Sequence, residues 1–92
     1  MDFGAALTDL RDGLRVARAG WNGKGMWIAL SPGFELPAAA VFSEPIAEEI
    51  TAQGTDGVFR PYLMMRTVDG EFVPWVASQT DVLADDWERV GV

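Results

Sequence analysis

The residues best suited to bind a ligand lie between Trp75 and Trp87. Between these tryptophans, Ser78 followed three residues later by Asp81 forms a capping-box pattern for a helix. The Ser78 hydroxyl can accept a hydrogen bond from an orphan amide, and Asp81 favours the positive end of the helix dipole. Amides that stay free beside Trp75 suit a ligand carrying a phosphate and a base. The alternative is a capped helical turn with two core tryptophans.

A second informative stretch runs from residue 19 to residue 25. Its three glycines let the backbone adopt positive φ and let a ligand approach closely. Asn22 and Gly23 form a strong turn pair, and Lys24 adds a mobile positive charge. Trp21 needs cover for its ring from a base, from a neighbouring subunit or from the core. The spacing is not that of a phosphate-binding Walker loop, so a hairpin loop with a tucked tryptophan is the alternative.

Cysteine and histidine are both absent from the sequence. Their absence removes disulfides, the commonest general base and the commonest metal ligand. Thiolate chemistry, zinc fingers and Ser-His-Asp catalysis are therefore excluded. A metal-dependent nucleotide hydrolase built on Asp81, Asp85 and Asp86 is an alternative, although their spacing is loose for one metal site. The favoured interpretation is a non-enzyme without catalytic residues, metal or cofactor.

The net charge of -7 argues against general nucleic-acid binding, which needs a broad positive face. Arg15, Arg18 and Lys24 nevertheless lie in a segment, residues 13–28, that contains no acidic residue. A small anion could bind in one local basic pocket there. No apolar run approaches the ~18 residues of a membrane span, and residues 1–5 lack the basic region of a signal peptide. These features predict a cytoplasmic protein without a membrane partner.

The length and the apolar content together predict a homo-oligomer. A chain of 92 residues fits one domain over residues 1–92. A domain of this size buries only roughly 60–65% of its extended surface. Yet 49% of the residues are hydrophobic and four are tryptophan. Apolar surface left outside the core usually marks a subunit interface, so we expect an assembly based on a two-fold dimer.

The first third of the chain predicts one helix and two strands. Asp2 can cap a helix over residues 3–12, and Gly13 lies where a left-handed residue ends such a helix. Residues 14–18 alternate between apolar and basic, which predicts a strand with its arginines outward. Residues 26–30 are apolar on both faces, so this strand should be central or at an interface.

The last third of the chain predicts a hairpin. Residues 59–68 form a long strand, and Pro61, which has no amide to donate, should lie at an edge or a strand start. Asp69 and Gly70 predict a two-residue turn. Residues 71–73 then return antiparallel.

A short helix after Ser78 and a strand over residues 87–90 complete the chain. Val82 and Leu83 should pack this helix against the core. The segment 34–57 is insert-like, and its pattern fits short helices or extended pieces. The fold class is therefore α+β, with an antiparallel sheet of about four or five strands, an N-terminal helix and a short C-terminal helix.

Several motifs, taken in chain order, resemble one family of small phage and prophage proteins. They are Phe3-Gly4-Ala5-Ala6-Leu7, Gly20-Trp21-Asn22-Gly23-Lys24-Gly25-Met26, Arg60-Pro61, Asp69-Gly70, Val73-Pro74-Trp75 and Ser78-Gln79-Thr80-Asp81-Val82-Leu83-Ala84-Asp85-Asp86-Trp87. The family was long known only as a domain of unknown function, and it includes the second type of Thoeris anti-defence protein. The similarity spans nearly the whole chain.

The resemblance implies a sponge that binds and sequesters a signal without cleaving it. The signals are glyco-cyclic ADP-ribose molecules made by Thoeris defence enzymes, and some members also hold cyclic dinucleotides in separate pockets. Members form tetramers built from dimers, with ligand pockets at the dimer interface. For this chain the resemblance implies a dimer of dimers in the cytoplasm of an infected bacterial host.

The predicted ligand site combines the two tryptophan loops with a short Arg-Pro pair. It comprises Trp21, Asn22, Gly23, Lys24, Met26, Arg60, Pro61, Trp75, Ser78, Gln79 and Asp81. The two tryptophans, on loops expected to be exposed, would stack on adenine at ~1–3 kcal/mol per base, the value for single-stranded nucleic acids. Lys24 and Arg60 would neutralise a pyrophosphate. Asn22, Gln79 or Asp81 would bind ribose hydroxyls. The rival class is a protein-binding inhibitor or virion component, in which the tryptophans serve only an interface.

Overall fold

The computed structural model describes residues 1–21 and 25–91. They form two compact units, the sheet unit (Met1–Ser31 with Tyr62–Val92) and the inserted unit (Pro32–Pro61). The predicted α+β class is confirmed, because an antiparallel five-stranded sheet, a separate two-stranded sheet and α-helices at both ends of the chain are present. The prediction of one domain over the whole chain stays a prediction.

Within the described residues, three α-helices and seven strands follow one another. They are α1 (Phe3–Arg11), β1 (Arg15–Arg18), β2 (Trp27–Ser31), β3 (Phe34–Leu36), α2 (Glu44–Gln53), β4 (Gly57–Phe59), β5 (Tyr62–Arg66), β6 (Phe72–Pro74), α3 (Gln79–Leu83) and β7 (Trp87–Val90). Short 3-10 turns cover residues 19–21 and 38–40. No helix among the described residues has the length and apolar character needed to cross a membrane.

Helix α1 begins as predicted and ends one residue earlier. The Asp2 carboxylate accepts a hydrogen bond from an amide of the first turn at 2.8 Å. Gly13 follows the helix with φ 84°, a left-handed conformation in which an L side chain is strained. Ala6 and Leu10, four positions apart, are both buried. Helical spacing therefore gives α1 one apolar face, which packs into the core.

The sheet of the sheet unit has the strand order β6-β5-β2-β1-β7, and each neighbouring pair is antiparallel. Strand β2 lies in the middle. This position confirms the expectation that a segment apolar on both faces is central or at an interface. The strands that frame the predicted ligand residues, β1 and β7, lie together at one side of the sheet.

One face of the sheet carries the core. Val16 of β1 pairs with Ile28 of β2, and both are buried together with Trp87, Ala6 and Leu10. Residues that pair across strands point to the same face, so the core residues of β1, β2 and β7 all meet helix α1. The fold of the sheet unit is therefore one helix packed on one face of a twisted sheet.

The opposite face carries larger side chains that are not covered in the same way. The Trp27 ring has the guanidinium carbon of Arg15 4.4 Å from its centroid, a cation-π contact. The Phe72 ring centroid lies 6.0 Å from that of Trp27, and Phe72 and Tyr62 remain exposed. An exposed aromatic surface of this kind is typical of interaction faces.

The strand predicted over residues 59–68 is interrupted. Strand β4 ends at Phe59 and pairs with β3, whereas β5 begins at Tyr62 and pairs with β2 and β6. Pro61 immediately precedes β5, so it lies at a strand start, one of the two positions expected for it. Its ring fixes φ and it has no amide to donate, so a continuous ladder through it is disfavoured. The strand predicted over residues 59–68 was therefore too long at its start, although Pro61 already marked a possible strand start.

The turn between β5 and β6 differs from the predicted two-residue loop. The Gly70 amide donates to the Thr67 carbonyl at 3.0 Å, and the Thr67 amide donates to the Glu71 carbonyl at 2.8 Å. The loop is therefore three residues long, and Gly70 occupies its last position with φ 82°. A tight turn followed by a left-handed glycine is the next commonest hairpin geometry. The predicted pair Asp69-Gly70 lies in the turn, but the loop begins one residue earlier.

Helix α3 begins at the predicted capping box. The Ser78 hydroxyl oxygen accepts from the Asp81 amide at 3.1 Å, and the Asp81 carboxylate accepts from the Ser78 amide at 3.0 Å. The expectation that Val82 and Leu83 pack against the core is wrong, because they are 45% and 80% exposed. A polar contact anchors the helix instead, since the Trp87 indole N–H donates to the Asp81 carbonyl at 2.9 Å.

The inserted unit contains the segment 34–57. It consists of the antiparallel strand pair β3-β4 and of helix α2, which lies between the two strands in the chain. The Phe34 and Phe59 rings stack across the hairpin with centroids 5.2 Å apart. Ile50 of α2 and Gly57 of β4 are its buried residues. The interior of this unit is therefore small.

Residues 44–53 form helix α2, whereas the sequence was compatible with either a short helix or an extended segment there. Pro45 lies in its first turn, where a missing amide costs little, and Gly54 ends it with φ 77°. Glu44, Glu48 and Glu49 are exposed, as expected for a solvated acidic face. The helix thus follows local start and stop signals.

Candidate ligand-binding site

Three tryptophans meet in the sheet unit. Trp87 is 2% exposed, and its ring centroid lies 5.5 Å from that of Trp21 and 6.0 Å from that of Trp75. Trp21 and Trp75 are 6.3 Å apart, and all three pairs are edge-to-face, a favourable arrangement. Trp21 and Trp75 were expected to be exposed, but they are half-buried. Trp87 covers part of each ring, so only the remainder can meet a ligand.

Arg18, at the end of β1, connects the elements around this cluster. Its Nε donates to Oδ1 of Asp86 at 2.9 Å, and its Nη1 donates to Oδ1 of Asp81 at 3.1 Å. The second oxygen of Asp86 accepts from the Gly20 amide at 3.3 Å. One guanidinium therefore joins the start of α3 to the residue before β7, which in turn binds the 3-10 turn carrying Trp21.

The prediction that both arginines of β1 point outward is wrong for Arg18. Residues 16 and 18 share a face in any strand, so Arg18 follows buried Val16 and is half-buried. It pairs across the ladder with Trp87. Arg15, on the other face, is exposed. Strict alternation from Val16 was the signal that could have placed Arg18 beside the site.

The ion pairs keep all three groups of this network charged near neutral pH. Hydrogen bonding from Arg18 lowers the pKa of Asp86. Desolvation raises the pKa of Asp81, but hydrogen bonds from Ser78 and Arg18 together outweigh it, so this pKa lies below its ordinary value. Hydrogen bonds to Asp86 and Asp81 raise the pKa of Arg18. One cation thus faces two carboxylates, and the cluster offers no surplus positive charge.

A cleft of about 260 Å³ opens beside the network. It is lined by Ala17, Arg18, Trp21, Gly25, Met26, Glu88, Arg89 and Val90. The cleft lies where β1, β7 and the loop after β1 meet. It therefore combines one aromatic ring, a flexible thioether and three charged side chains.

The cleft's second arginine is also paired. Arg89 donates to both carboxylate oxygens of Asp9, at 2.8 and 3.1 Å. The Asp9 side chain is only 7% exposed, and the hydrogen bond from Arg89 lowers its pKa. Glu88 adds a negative charge. An anionic ligand in this cleft would gain little from either guanidinium while these pairs are intact.

Gly25 is the last residue of the stretch 19–25, which also contains Trp21. Its carbonyl accepts from Nη1 of Arg66 at 2.7 Å, and its φ is 79°. A Cβ added at Gly25 would lie 2.7 Å from Nη1 of Arg66. The left-handed backbone therefore favours glycine here, whereas the arginine end could shift to admit a Cβ.

The comparisons with known proteins agree with the motifs. The sequence model of the Thoeris anti-defense 2-like domain matches residues 1–90. The chain is also 41% identical over 90 residues to Thoeris anti-defense 2 of Bacillus phage SP01. The matched region covers 98% of this chain and 94% of the phage protein.

The chain belongs to the Thoeris anti-defense 2-like family. This finding confirms the resemblance drawn from the motifs. Membership places the protein among phage anti-defence proteins. The match covers nearly all of both chains, so it includes the sheet unit and the inserted unit alike.

In this family member, most of the predicted ligand residues that the structure describes lie in the sheet unit. Trp21 and Met26 line the cleft. Trp75 does not line the cleft but contacts Trp21, which does. Asp81 accepts a hydrogen bond from Arg18, another residue of the cleft lining. Two more lie at the start of α3, where Ser78 is the cap and Gln79 is the exposed first residue.

The other predicted residues are not in this cleft. Arg60 and Pro61 belong to the inserted unit, where they line a separate cleft of about 430 Å³ with Gly33, Phe34, Glu35, Val58 and Phe59. Asn22, Gly23 and Lys24 lie outside the described residues.

Sequence reasoning missed most of the charged residues around the cleft. Asp86 was considered only as a metal ligand, Arg18 only as part of a local basic pocket for a small anion, and Arg89 was given no ligand-site role. Asp9 carried a usable signal, since it lies three positions after buried Ala6, on the core-facing side of α1. A carboxylate in such a position needs a cationic partner. That partner comes from the far end of the chain.

Proposed function

We propose that this protein binds a cyclic nucleotide immune signal of the glyco-cyclic ADP-ribose type and sequesters it without cleaving it. Family membership supports the anti-defence part of the proposal. The observation that carries the ligand part is the cleft beside Trp21, where a half-buried indole leaves room next to Met26. An aromatic plate held in place is the surface on which an adenine stacks.

The cleft by itself is too small and too neutral for the whole ligand. Its volume of about 260 Å³ lies below the ~300–1,000 Å³ typical of small-molecule sites. Its arginines are already paired with carboxylates. We therefore propose that Lys24 or a second copy of the chain completes the charge for the pyrophosphate. Cyclic dinucleotides, which also present bases and phosphates, form a second ligand class to which the proposal extends.

The proposed active form is a homo-oligomer, a dimer of dimers. The exposed aromatic residues on the open face of the sheet, Phe72 and Tyr62, support this part of the proposal. Exposed aromatic surface of this kind is often covered in an assembly. The proposed place of action is the cytoplasm of the infected host, where the signal is met.

The contacts of the aspartates support binding rather than turnover. A metal-dependent hydrolase would use Asp81, Asp85 and Asp86. Arg18 holds two of these carboxylates at 3.1 and 2.9 Å. A metal ion at this place would have to displace a guanidinium that is already bound on both sides. We therefore propose a non-catalytic role.

The decisive experiment separates capture from cleavage. The purified protein is incubated with a glyco-cyclic ADP-ribose isomer, separated by filtration, heat-denatured and analysed by mass spectrometry. The ligand should disappear from the filtrate and return intact after heating. Recovery of a cleaved product would identify an enzyme. If all of the ligand stays in the filtrate, the proposal is contradicted. A protein-binding inhibitor or a virion component would then be the better interpretation.

A substitution at the aromatic ring tests the site itself. Trp21→Ala should weaken capture by roughly ten- to a hundred-fold, the range expected for the loss of one stacked base. Leu83→Ala is the matched control, because Leu83 is 80% exposed and lies on the neighbouring helix α3. Circular dichroism checks that both variants fold. Equal affinity of the two variants would remove Trp21 from the site.

A further inference from the structure

We infer that Asp86 is a positioning residue of the ligand site, which together with Arg18 fixes the turn that carries Trp21. The inference rests on the proposed function, because it concerns how the Trp21 cleft is formed before a ligand arrives. It assigns to Asp86 neither a contact with the ligand nor a role as a metal ligand.

Asp86 makes three hydrogen bonds to consecutive residues of the chain. Its Oδ1 accepts from Nε of Arg18 at 2.9 Å, and its Oδ2 accepts from the Gly20 amide at 3.3 Å. Its backbone carbonyl accepts from the Ala19 amide at 3.0 Å. These three residues immediately precede Trp21. One side chain and one carbonyl therefore hold the Arg18 side chain and the backbone amides of the two residues that precede Trp21.

Asp86 is itself held in place. It precedes Trp87, which is 2% exposed and pairs with Arg18 in the ladder between β1 and β7. Its position therefore follows from the packed core. Gly20 is exposed, so the turn lies at the surface. Its contacts with Asp86 therefore attach this surface turn to a residue whose place is set by the core.

The contact between Asp86 and Gly20 also bears on the free energy of binding. The Gly20 amide, directly before Trp21, is held by a side chain from outside the turn. A turn whose backbone is ordered in advance loses less conformational entropy when a ligand binds. Asp86 should therefore contribute to affinity without touching the ligand.

Two observations separate positioning from direct contact and from general stability. Both carboxylate oxygens of Asp86 already accept hydrogen bonds, and Asp86 is not among the residues that line the cleft. Its side chain is 32% exposed in a pair with Arg18. Partly exposed ion pairs contribute little to global stability. Removing Asp86 should therefore affect the turn far more than the fold.

The test compares Asp86→Ala with Asp85→Ala in the full chain. Asp85 is the adjacent residue, is exposed and carries the same charge, so it controls for the change in net charge. Asp86→Ala should weaken affinity for glyco-cyclic ADP-ribose by roughly tenfold, the scale of ordering costs at a binding site. It should also reduce the near-ultraviolet circular dichroism of the tryptophan cluster. Tm should stay within ~5 °C of the wild type.

A conservative variant provides the rescue. Asp86→Asn keeps one carbonyl oxygen and can still accept from Gly20 or from Arg18, so its affinity and dichroism should lie between those of the wild type and Asp86→Ala. This variant carries the same comparison if Asp86→Ala does not fold. Asp85→Ala should match the wild type in all three measurements.

The outcomes distinguish this inference from the proposed function. If the wild type binds no ligand, the proposed function fails, and so does the role of Asp86 in binding, whatever the dichroism shows. If the wild type binds and Asp86→Ala binds equally well, the positioning role alone fails. A large loss of Tm in both Asp86 variants, with unchanged dichroism of the folded fraction, would show a structural role and would also overturn the inference.

Discussion

The sheet unit and the inserted unit differ in how much of their apolar surface they bury. The sheet unit encloses a cluster of buried side chains, namely Ala6, Leu10, Val16, Ile28 and Trp87. In the inserted unit Ile50 and Gly57 are buried, while Phe42 and Val58 are exposed. A two-stranded hairpin with one helix is marginally stable on its own. The cleft beside Trp21 therefore belongs to the unit with the larger buried interior.

The two units also differ in what their charged residues do. Asp9, Asp81 and Asp86 of the sheet unit are all paired with arginines. The glutamates of α2 in the inserted unit are exposed. Partly buried carboxylates need partners, whereas solvated ones do not. Charge therefore helps to fix geometry in the sheet unit and chiefly meets solvent in the inserted unit.

The largest expected difference between the units comes from removing one aromatic residue from each. Trp87→Ala deletes a ring that is 2% exposed and should destabilise the protein by about 3–5 kcal/mol. Phe42→Ala removes a fully exposed ring from the inserted unit and should change stability by less than about 0.5 kcal/mol. Urea denaturation of both variants measures the difference. Similar losses would contradict the contrast in burial.

Local signals in the sequence predicted much of the fold. The Asp2 cap, the Ser78 capping box and the central position of β2 each depend on a few neighbouring residues, and each was predicted correctly. Two strand-level details failed for a local reason. Strand-forming residues stand on both sides of Pro61, and a glycine after an aspartate fits more than one hairpin turn, so the local pattern alone did not decide either case.

The site was harder to predict because its partners are far apart in the chain. Arg18 binds Asp81 and Asp86, which lie 63 and 68 positions away. No short motif signals such a pair. The half-buried state of Trp21 has the same origin, since Trp87 covers part of its ring. Sequence reasoning therefore named two residues that line the cleft, Trp21 and Met26, but not the contacts that hold the cleft together.

The small interior of the inserted unit can be tested by overfilling it. A Cβ at Gly57 would overlap Cδ1 of Ile50, so Gly57→Ala should destabilise this unit by about 1–3 kcal/mol. Ile50→Val removes that atom, so the double variant should recover part of the loss. Hydrogen exchange should show faster exchange in residues 32–61 and unchanged protection in the sheet unit. Equal acceleration in both units would show that they unfold together.

The smallest expected effect is a pH dependence confined to the sheet unit. The hydrogen bond from Arg89 lowers the pKa of Asp9 in the folded state, so the unfolded state takes up the proton first as the pH falls. The stabilisation is complete at neutral pH and is lost as the pH drops below about 4, the ordinary range of an aspartate, toward the lowered pKa. Measurements of Tm against pH for the wild type and Asp9→Asn should therefore converge in acid.

A control from the inserted unit sharpens this test. Glu48 is exposed on α2, and among the described residues its side chain takes part in no recorded ion pair. Glu48→Gln removes one negative charge from an exposed side chain and therefore controls for the change in net charge that Asp9→Asn also makes. A constant gap between the wild type and Asp9→Asn between pH 7 and pH 3 would mean that the Asp9–Arg89 pair adds no charge-dependent stability. The contrast between paired and solvated carboxylates would then rest on geometry alone.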